Sequence, residues 1–291
     1  MSFSDEVLGT KENQNTKTNN FSTRKNNNKN NWVEKQKQDR QEIYDSMNKM
    51  ATIISTDGEK FKEYLDIQSY FPKHSVGNCC VILEKMPYAT QIKDKISWEE
   101  KGIAIKENAK GIKILEPVNK DGKIYYNPKE VFDISQTNTD TSVDFVYDTR
   151  KLLDAITTDC SAKLVAVDEL SKGEMGVEYN KEKNTLYVCK KLTKKTLFQE
   201  LFQEIAKIAI PEEKGKNFKS YCISYMLCKR YGIDTADFKF NGISQEIRGD
   251  KPKDIRRELE ISRETFEQMN TKISEFFEQG VKEKNKVTPE R

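Results

Sequence analysis

The apolar residues of this chain change their spacing twice, and that limits the folds open to it. From Tyr44 through Met47, Met50, Ile53 and Ile54 they recur at close to 3.6 residues, as on a helix with one buried face. Phe61, Tyr64 and Leu65 repeat the pattern over Glu59–Gln68, just after the turn dipeptide Asp57-Gly58. Ser75–Glu84 reads as a third helix that stops before Met86-Pro87. Then Ile103–Lys106, Ile112–Glu116, Ile124–Tyr126 and Val131–Ser135 alternate or cluster as short strands, with Asn119-Lys-Asp-Gly122 as a hairpin turn. Helical spacing returns at Asp148–Thr157 and gives way to strands at Lys163–Val167 and Thr185–Cys189, separated by Gly173 and Gly176. Leu197, Leu201, Ile205 and Ile208 share one face of a helix over Thr196–Ala209, which Pro211 stops. Tyr221–Tyr231 closes on Gly232, and Ile255, Leu259, Phe266, Met269, Ile273 and Phe276 stripe a last helix over 254–279. Core packing is the default for that stripe; docking to a partner is the alternative.

This order predicts an α+β protein of two modules, and 291 residues allow about two domains. An Asn/Lys/Gln-rich tail, 1–40, has too few aliphatic residues to offset its ordering entropy and is expected to be disordered. Residues 41–137 form the first module, polar 138–147 a linker, 148–280 a mostly helical second module with a small sheet, and 281–291 a flexible tail. With 33% of residues charged, the cores must be modest. A net charge of +3 excludes a globally basic coat for nucleic acid, though not a local groove. No run of about 18 apolar residues is present, so no membrane helix is expected. The first residues lack a basic stretch followed by an apolar one, so no secretory signal is expected either. The six cysteines contain no CxxC pair and read as reduced thiols of a cytoplasmic protein, here of a bacterial host cell; a redox or catalytic thiol is the alternative. His74, the single histidine, excludes His-rich metal sites and His-pair chemistry.

An ordered set of short motifs then narrows the reading. His74-Ser75 with Asn78 is followed by Pro87-Tyr-Ala-Thr90, Trp98, Asn108-Ala-Lys-Gly-Ile112, Pro117, and Val131-Phe-Asp-Ile-Ser-Gln-Thr137. In this order they resemble the N-terminal single-stranded-DNA-binding domain of ArdC-type plasmid antirestriction proteins. Gly176-Val-Glu-Tyr179, Thr185-Leu-Tyr-Val188, Thr196–Gln203 and Tyr225–Thr235 follow the order of the second domain of that family. That domain has a zincin-like metallopeptidase fold, also seen in LtrC-like proteins of conjugative elements. The resemblance implies a single-strand-binding protein of a mobile element that blunts host restriction.

The family's zinc helix carries His-Glu-x-x-His, whose i and i+4 imidazoles reach one ion from one helical face. Here the five positions are Gln199, Glu200, Leu201, Phe202 and Gln203, so carboxamides replace both imidazoles and only Glu200 is kept. Neutral amides are poor zinc ligands. The implied third ligand, an acid on the next helix, falls near Lys219, Ser220 and Tyr221, none of them acidic. No catalytic residue, metal or cofactor is therefore expected, and Glu200 is vestigial. Glu200 and Glu204 could chelate a hard cation; the plainer reading is two solvated or salt-bridged carboxylates.

Single-strand binding needs aromatic rings to stack on bases and cations to line the phosphate path. The expected contacts are Tyr70, Lys73, His74, Asn78, Trp98, Lys101, Lys110 and Lys113, with Phe71, Tyr88, Tyr125, Tyr126, Lys93, Lys95 and Lys106 as further candidates. Each has a structural alternative: Trp98 as a core residue, Asn78 as a brace of a turn, Lys110-Gly111 as a hairpin tip. The expected partner is single-stranded DNA. A pseudo-peptidase that docks a host restriction or defence protein, or a conjugation protein, is the alternative, and an active metallopeptidase the remote one.

Overall fold

In the computed structural model, residues 12–139, 147–158, 160–171, 173–211, 214–243, 247 and 251–286 are described below. The architecture is mixed α+β. Helix α1 spans Glu12–Ile54, α2 Gly58–Tyr70 and α3 Val76–Lys85. A first sheet follows: β1 (Ile92–Lys93), β2 (Ile112–Lys120) and β3 (Lys123–Asp133), with a short helix α4 (Lys95–Glu99) after β1. Its order is β1-β3-β2, and all pairing is antiparallel. Helix α5 (Thr149–Thr158) leads to β4 (Lys163–Val167), β5 (Val177–Asn180) and β6 (Thr185–Cys189), arranged β4-β6-β5 with β4 parallel and β5 antiparallel to β6. Helices α6 (Lys194–Ala209), α7 (Lys216–Arg230) and α8 (Pro252–Lys286) complete the chain.

Local chemistry explains most of the boundaries. Asp57 caps α2 by accepting from the N–H groups of Glu59 and Lys60, and Ser75 caps α3 at Asn78 N–H. Thr193 caps α6 at Thr196 N–H. Asp94 caps α4 through Ser97 N–H, and those bonds, with the Lys129 ammonium, hold its carboxyl down at about 2.

The expected modules share one core. A single cluster of buried side chains runs from Ile43 on α1 through Phe61 and Ile82 to Phe198, Tyr225 and Ile273. Across it, Tyr225 Oη donates to Asp66 Oδ1 at 2.6 Å, and the Lys229 ammonium stands 3.1 Å from the same carboxylate. A smaller cluster packs Ile103 and Ile105 around Trp98, Phe132 and Ile134.

Four elements differ from the sequence expectation. Helix α1 begins at Glu12, inside the segment expected to be disordered, and Asp39 is already buried against Lys113; residues 1–11 lie outside the described residues. Ile103–Lys106 forms only one bridge, Ile105 to Thr137, because its isoleucines are taken up by the Trp98 cluster. Ile124–Tyr126 and Val131–Ser135 are not separate strands: β3 is continuous through Pro128. Pro128 lies opposite Leu115, whose N–H and C=O point away from β3 to the Asn78 side chain. The pair is thus a non-hydrogen-bonded one, where proline breaks nothing. Of the expected linker, residues 140–146 lie outside the described residues, as do 287–291 of the expected C-terminal tail.

Candidate nucleic-acid interface

A cleft of about 740 Å³ opens where α1, the segment 73–78, the first sheet and the start of α8 meet. Tyr44 comes from α1, Lys73 and His74 from the segment after α2, Lys93 from β1, and Tyr126 and Lys129 from β3. Arg256 and Arg257 come from α8, some 180 residues away in sequence from Lys73. The walls are tied across that distance. Glu260 accepts from Val76 N–H at 3.3 Å, Arg263 donates to Pro72 O at 3.3 Å, and Arg256 donates to Asn48 Oδ1 at 2.6 Å.

The charge in the cleft is partly neutralised. Lys129 lies 2.6 Å from Glu116 and 3.0 Å from Asp94, so its charge is matched. Arg257 pairs with Asp254 at 2.8 Å, an exposed contact of little energetic weight. Lys93 differs: its ammonium lies 5.8 Å from the centroid of the Trp98 ring, and Lys101 stands beside it. Burial and then the Lys101 charge hold the Lys93 pKa below the ordinary lysine value. Asp94 is the opposing charge that acts on Lys93. His74 packs edge-on to Phe71 at 5.7 Å, and burial lowers its pKa, so at neutral pH it is an uncharged ring.

The expected contacts divide accordingly. Lys73, His74 and Asn78 line the cleft; Lys101 does not, though its charge acts on Lys93, which does. Asn78 is a brace: Nδ2 donates to Leu115 O at 2.8 Å while Oδ1 accepts from Leu115 N–H at 3.0 Å, closing the edge of β2 as a strand would. Trp98, expected to stack on bases, is corrected to a core residue: it is 1% exposed and its indole N–H donates to Phe132 O at 2.9 Å. Tyr70 packs against the main core. Lys113 pairs with Asp39 at 2.7 Å, and Lys110 is exposed at a turn whose carbonyl accepts from Gln136; neither lines the cleft. Tyr125 and Tyr88 are exposed outside it. Sequence reasoning missed Tyr44, Lys129, Arg256 and Arg257, which no local motif marks. It also missed α4, which Asp94 three residues before Ser97 could have signalled.

In the rear half, the side chains of α6 around the expected zinc-helix positions bond to neighbouring backbone. Gln199 Nε2 donates to Asp234 O at 2.8 Å. Glu200 Oε2 accepts from Val177 N–H at 2.7 Å, and Glu204 Oε2 accepts from Tyr179 N–H at 3.3 Å while its other oxygen takes the Lys207 ammonium. Lys219 is buried and pairs with Glu258 at 3.3 Å. Two amides, a carboxylate committed to backbone and an ammonium do not fit a zinc ion. Among the described residues no group of three or more His, Cys, Asp or Glu side chains is placed to hold a metal ion. The adjacent thiols of Cys79 and Cys80 are buried in α3, and burial pushes Cys80 up to about 12, which does not suit nucleophilic chemistry. No described helix is long and apolar enough to cross a membrane.

No family model and no curated protein matches the chain. The fold is similar to two solved structures of the antirestriction protein ArdC from plasmid R388. The metal-free form superposes with a TM-score of 0.44 at 12% identity, over 69% of this chain and 85% of that one. The Mn(II)-bound form gives 0.46 at 12% identity, over 73% and 98%.

Proposed function

We propose that this chain binds single-stranded DNA in the cleft between α1, the first sheet and α8, and that it acts without peptide hydrolysis. The cleft carries the reading. It sets Lys73, Lys93, Arg256 and Arg257 around a trough that also holds the Tyr44 and Tyr126 rings. Cations for a phosphate path and rings for base faces are the two things a non-specific single-strand site needs. The antirestriction role on behalf of a mobile element rests on the motif order of residues 70–137. The non-catalytic part rests on the chemistry at 199–204 and 219, where no side-chain set offers an ion two basic nitrogens and a carboxylate.

The test is binding of the full chain to a fluorescent oligonucleotide across a salt series. Log affinity should fall linearly with log salt, with a slope set by the phosphates neutralised. Absence of binding at low salt would sink the proposal.

One observation favours a protein partner for the rear half as well. Strand β4 is an edge strand of sequence Lys-Leu-Val-Ala-Val with exposed Leu164 and Ala166. Lys163 N–H and Val167 O bond toward β6, so the backbone of Leu164 and Ala166 points outward, open to strand addition. Capture of a defence or conjugation protein that survives loss of DNA binding would support that second role.

A further inference from the structure

The β2–β3 hairpin does not end at the cleft. Pro117 and Tyr126 pair across the ladder and line the cleft, and the pairs Val118–Tyr125, Asn119–Ile124 and Lys120–Lys123 continue past it to the turn. At about 3.4 Å per residue, the finger reaches roughly 13 Å beyond the rim. Asp121 and Gly122 both have positive φ, 54° and 75°, as a tight two-residue hairpin turn requires. The base is held on both sides. Arg40 donates to Tyr126 O at 3.0 Å, and Asn78 closes Leu115. The finger is therefore stiff at its root and open at its tip.

The tip carries unusual residues for a solvated turn. Ile124 is 62% exposed, Tyr125 50% and Val118 37%. Side chains alternate along a strand, so Ile124 lies on the Tyr126 face, which looks into the cleft. Tyr125 and Val118 lie on the opposite face with Lys120 and Lys123. Each face thus carries an apolar surface; the Tyr125 face, which runs down to Glu116 and Lys129 at the cleft, adds two ammonium groups.

We propose that this finger is a wedge that sits where a duplex opens, so that the preferred ligand is a single-strand/double-strand junction. The strand held in the cleft passes along the Ile124–Tyr126 face. The other strand is turned along the Tyr125 face, its terminal base against Tyr125 and its phosphates near Lys120 and Lys123. The inference rests on the single-strand reading of the cleft. A protein docked on the tip would account for the apolar residues, but not for their continuity with a cationic trough or for the lysine pair.

The experiment compares three probes by fluorescence anisotropy with the full chain: a single strand, a blunt duplex, and a duplex with a single-stranded tail. The tailed duplex should bind about tenfold tighter than the single strand, the equivalent of one added stacked base. The double substitution Tyr125→Ser with Lys123→Gln should bring the tailed duplex to the level of the single strand and leave single-strand affinity unchanged. Its unchanged melting temperature would show that folding is intact. Equal affinity of the natural chain for tailed and untailed strands would overturn the wedge and leave the cleft proposal standing. Loss of both affinities to the same degree in the variant would also overturn it. No binding of any probe would remove the single-strand reading itself.

Discussion

Glu200 on α6 accepts a hydrogen bond from the backbone N–H of Val177 at 2.7 Å, and that bond stitches the helix to the edge strand β5. Gly176 makes the approach possible: a Cβ there would lie 2.6 Å from Glu200 Oε2. Glu204, one turn later, takes the next outward N–H, at Tyr179. The Glu200 carboxylate thus serves as a side-chain strand partner.

Burial, followed by the opposing effect of the Val177 bond, leaves the Glu200 pKa raised above its ordinary value. A carboxyl whose pKa is higher in the folded chain binds its proton more tightly there than in the unfolded chain. Its contribution is complete at low pH and is lost as pH rises through the ordinary carboxylate range and the raised folded value. Glu200→Gln keeps an oxygen for Val177 N–H and removes the ionisation. The melting temperature of Glu200→Gln relative to the natural chain should rise between pH 4 and pH 7. A flat difference would show that Glu200 is not strained by its charge. Gly176→Ala should be destabilising at every pH, because the added methyl must push the carboxylate off its bond.

Asn78 gives the cleanest test of a structural role within the cleft. Asn78→Ala leaves both polar groups of Leu115 without a partner at a buried edge, costing about 1–3 kcal/mol. For a chain of this size each 1 kcal/mol lowers the melting temperature by roughly 2–4 °C. Oligonucleotide affinity, measured well below that temperature, should change less than twofold. A large affinity loss without a stability loss would make Asn78 a ligand contact instead.

What could be read from the sequence follows from the range of the forces involved. Helices α2, α3, α6 and α7 were legible because 3.6-residue spacing is local; the caps Asp57, Ser75 and Thr193 went unread. The hairpin turn at Asp121-Gly122 was legible for the same reason. The cleft was legible only in part. Lys73, His74 and Asn78 sit in one short segment, but Arg256 reaches the same space only because α8 folds back over α1 and bonds Asn48. Trp98 was misjudged because an aromatic in a polar stretch looks available, and nothing local shows that Phe132 O will receive its N–H. The continuity of β3 through Pro128 was hidden because the harm a proline does depends on which way its nitrogen faces.

The lysines separate a phosphate path from a merely basic surface. Lys93 has Lys101 beside it and only Asp94 as an opposing charge, whereas Lys113 is matched by Asp39. Lys93→Gln and Lys101→Gln should each weaken oligonucleotide binding about equally for all sequences and reduce the salt slope by about 1. Lys110→Gln and Lys113→Gln should leave affinity and slope unchanged. The comparison is made in one salt series with one probe. A larger effect from Lys110 or Lys113 would move the path away from the cleft.

The chain has two tryptophans in opposite settings, which makes the burial of Trp98 directly measurable. Trp32 is 62% exposed on α1 and Trp98 is 1% exposed. With Trp32→Phe, the remaining emission should be blue-shifted and almost insensitive to acrylamide. It should also be nearly unchanged by saturating single-stranded DNA, since a ring packed on Phe132 and Ile134 cannot stack on a base. Trp98→Ala should cost about 3–5 kcal/mol through the cavity it leaves and lower the melting temperature accordingly. Trp98→Phe keeps most of the packing but strands Phe132 O, and should cost less. Strong quenching of Trp98 by an oligonucleotide would mean that the smaller core opens on binding, and would return Trp98 to the contact surface.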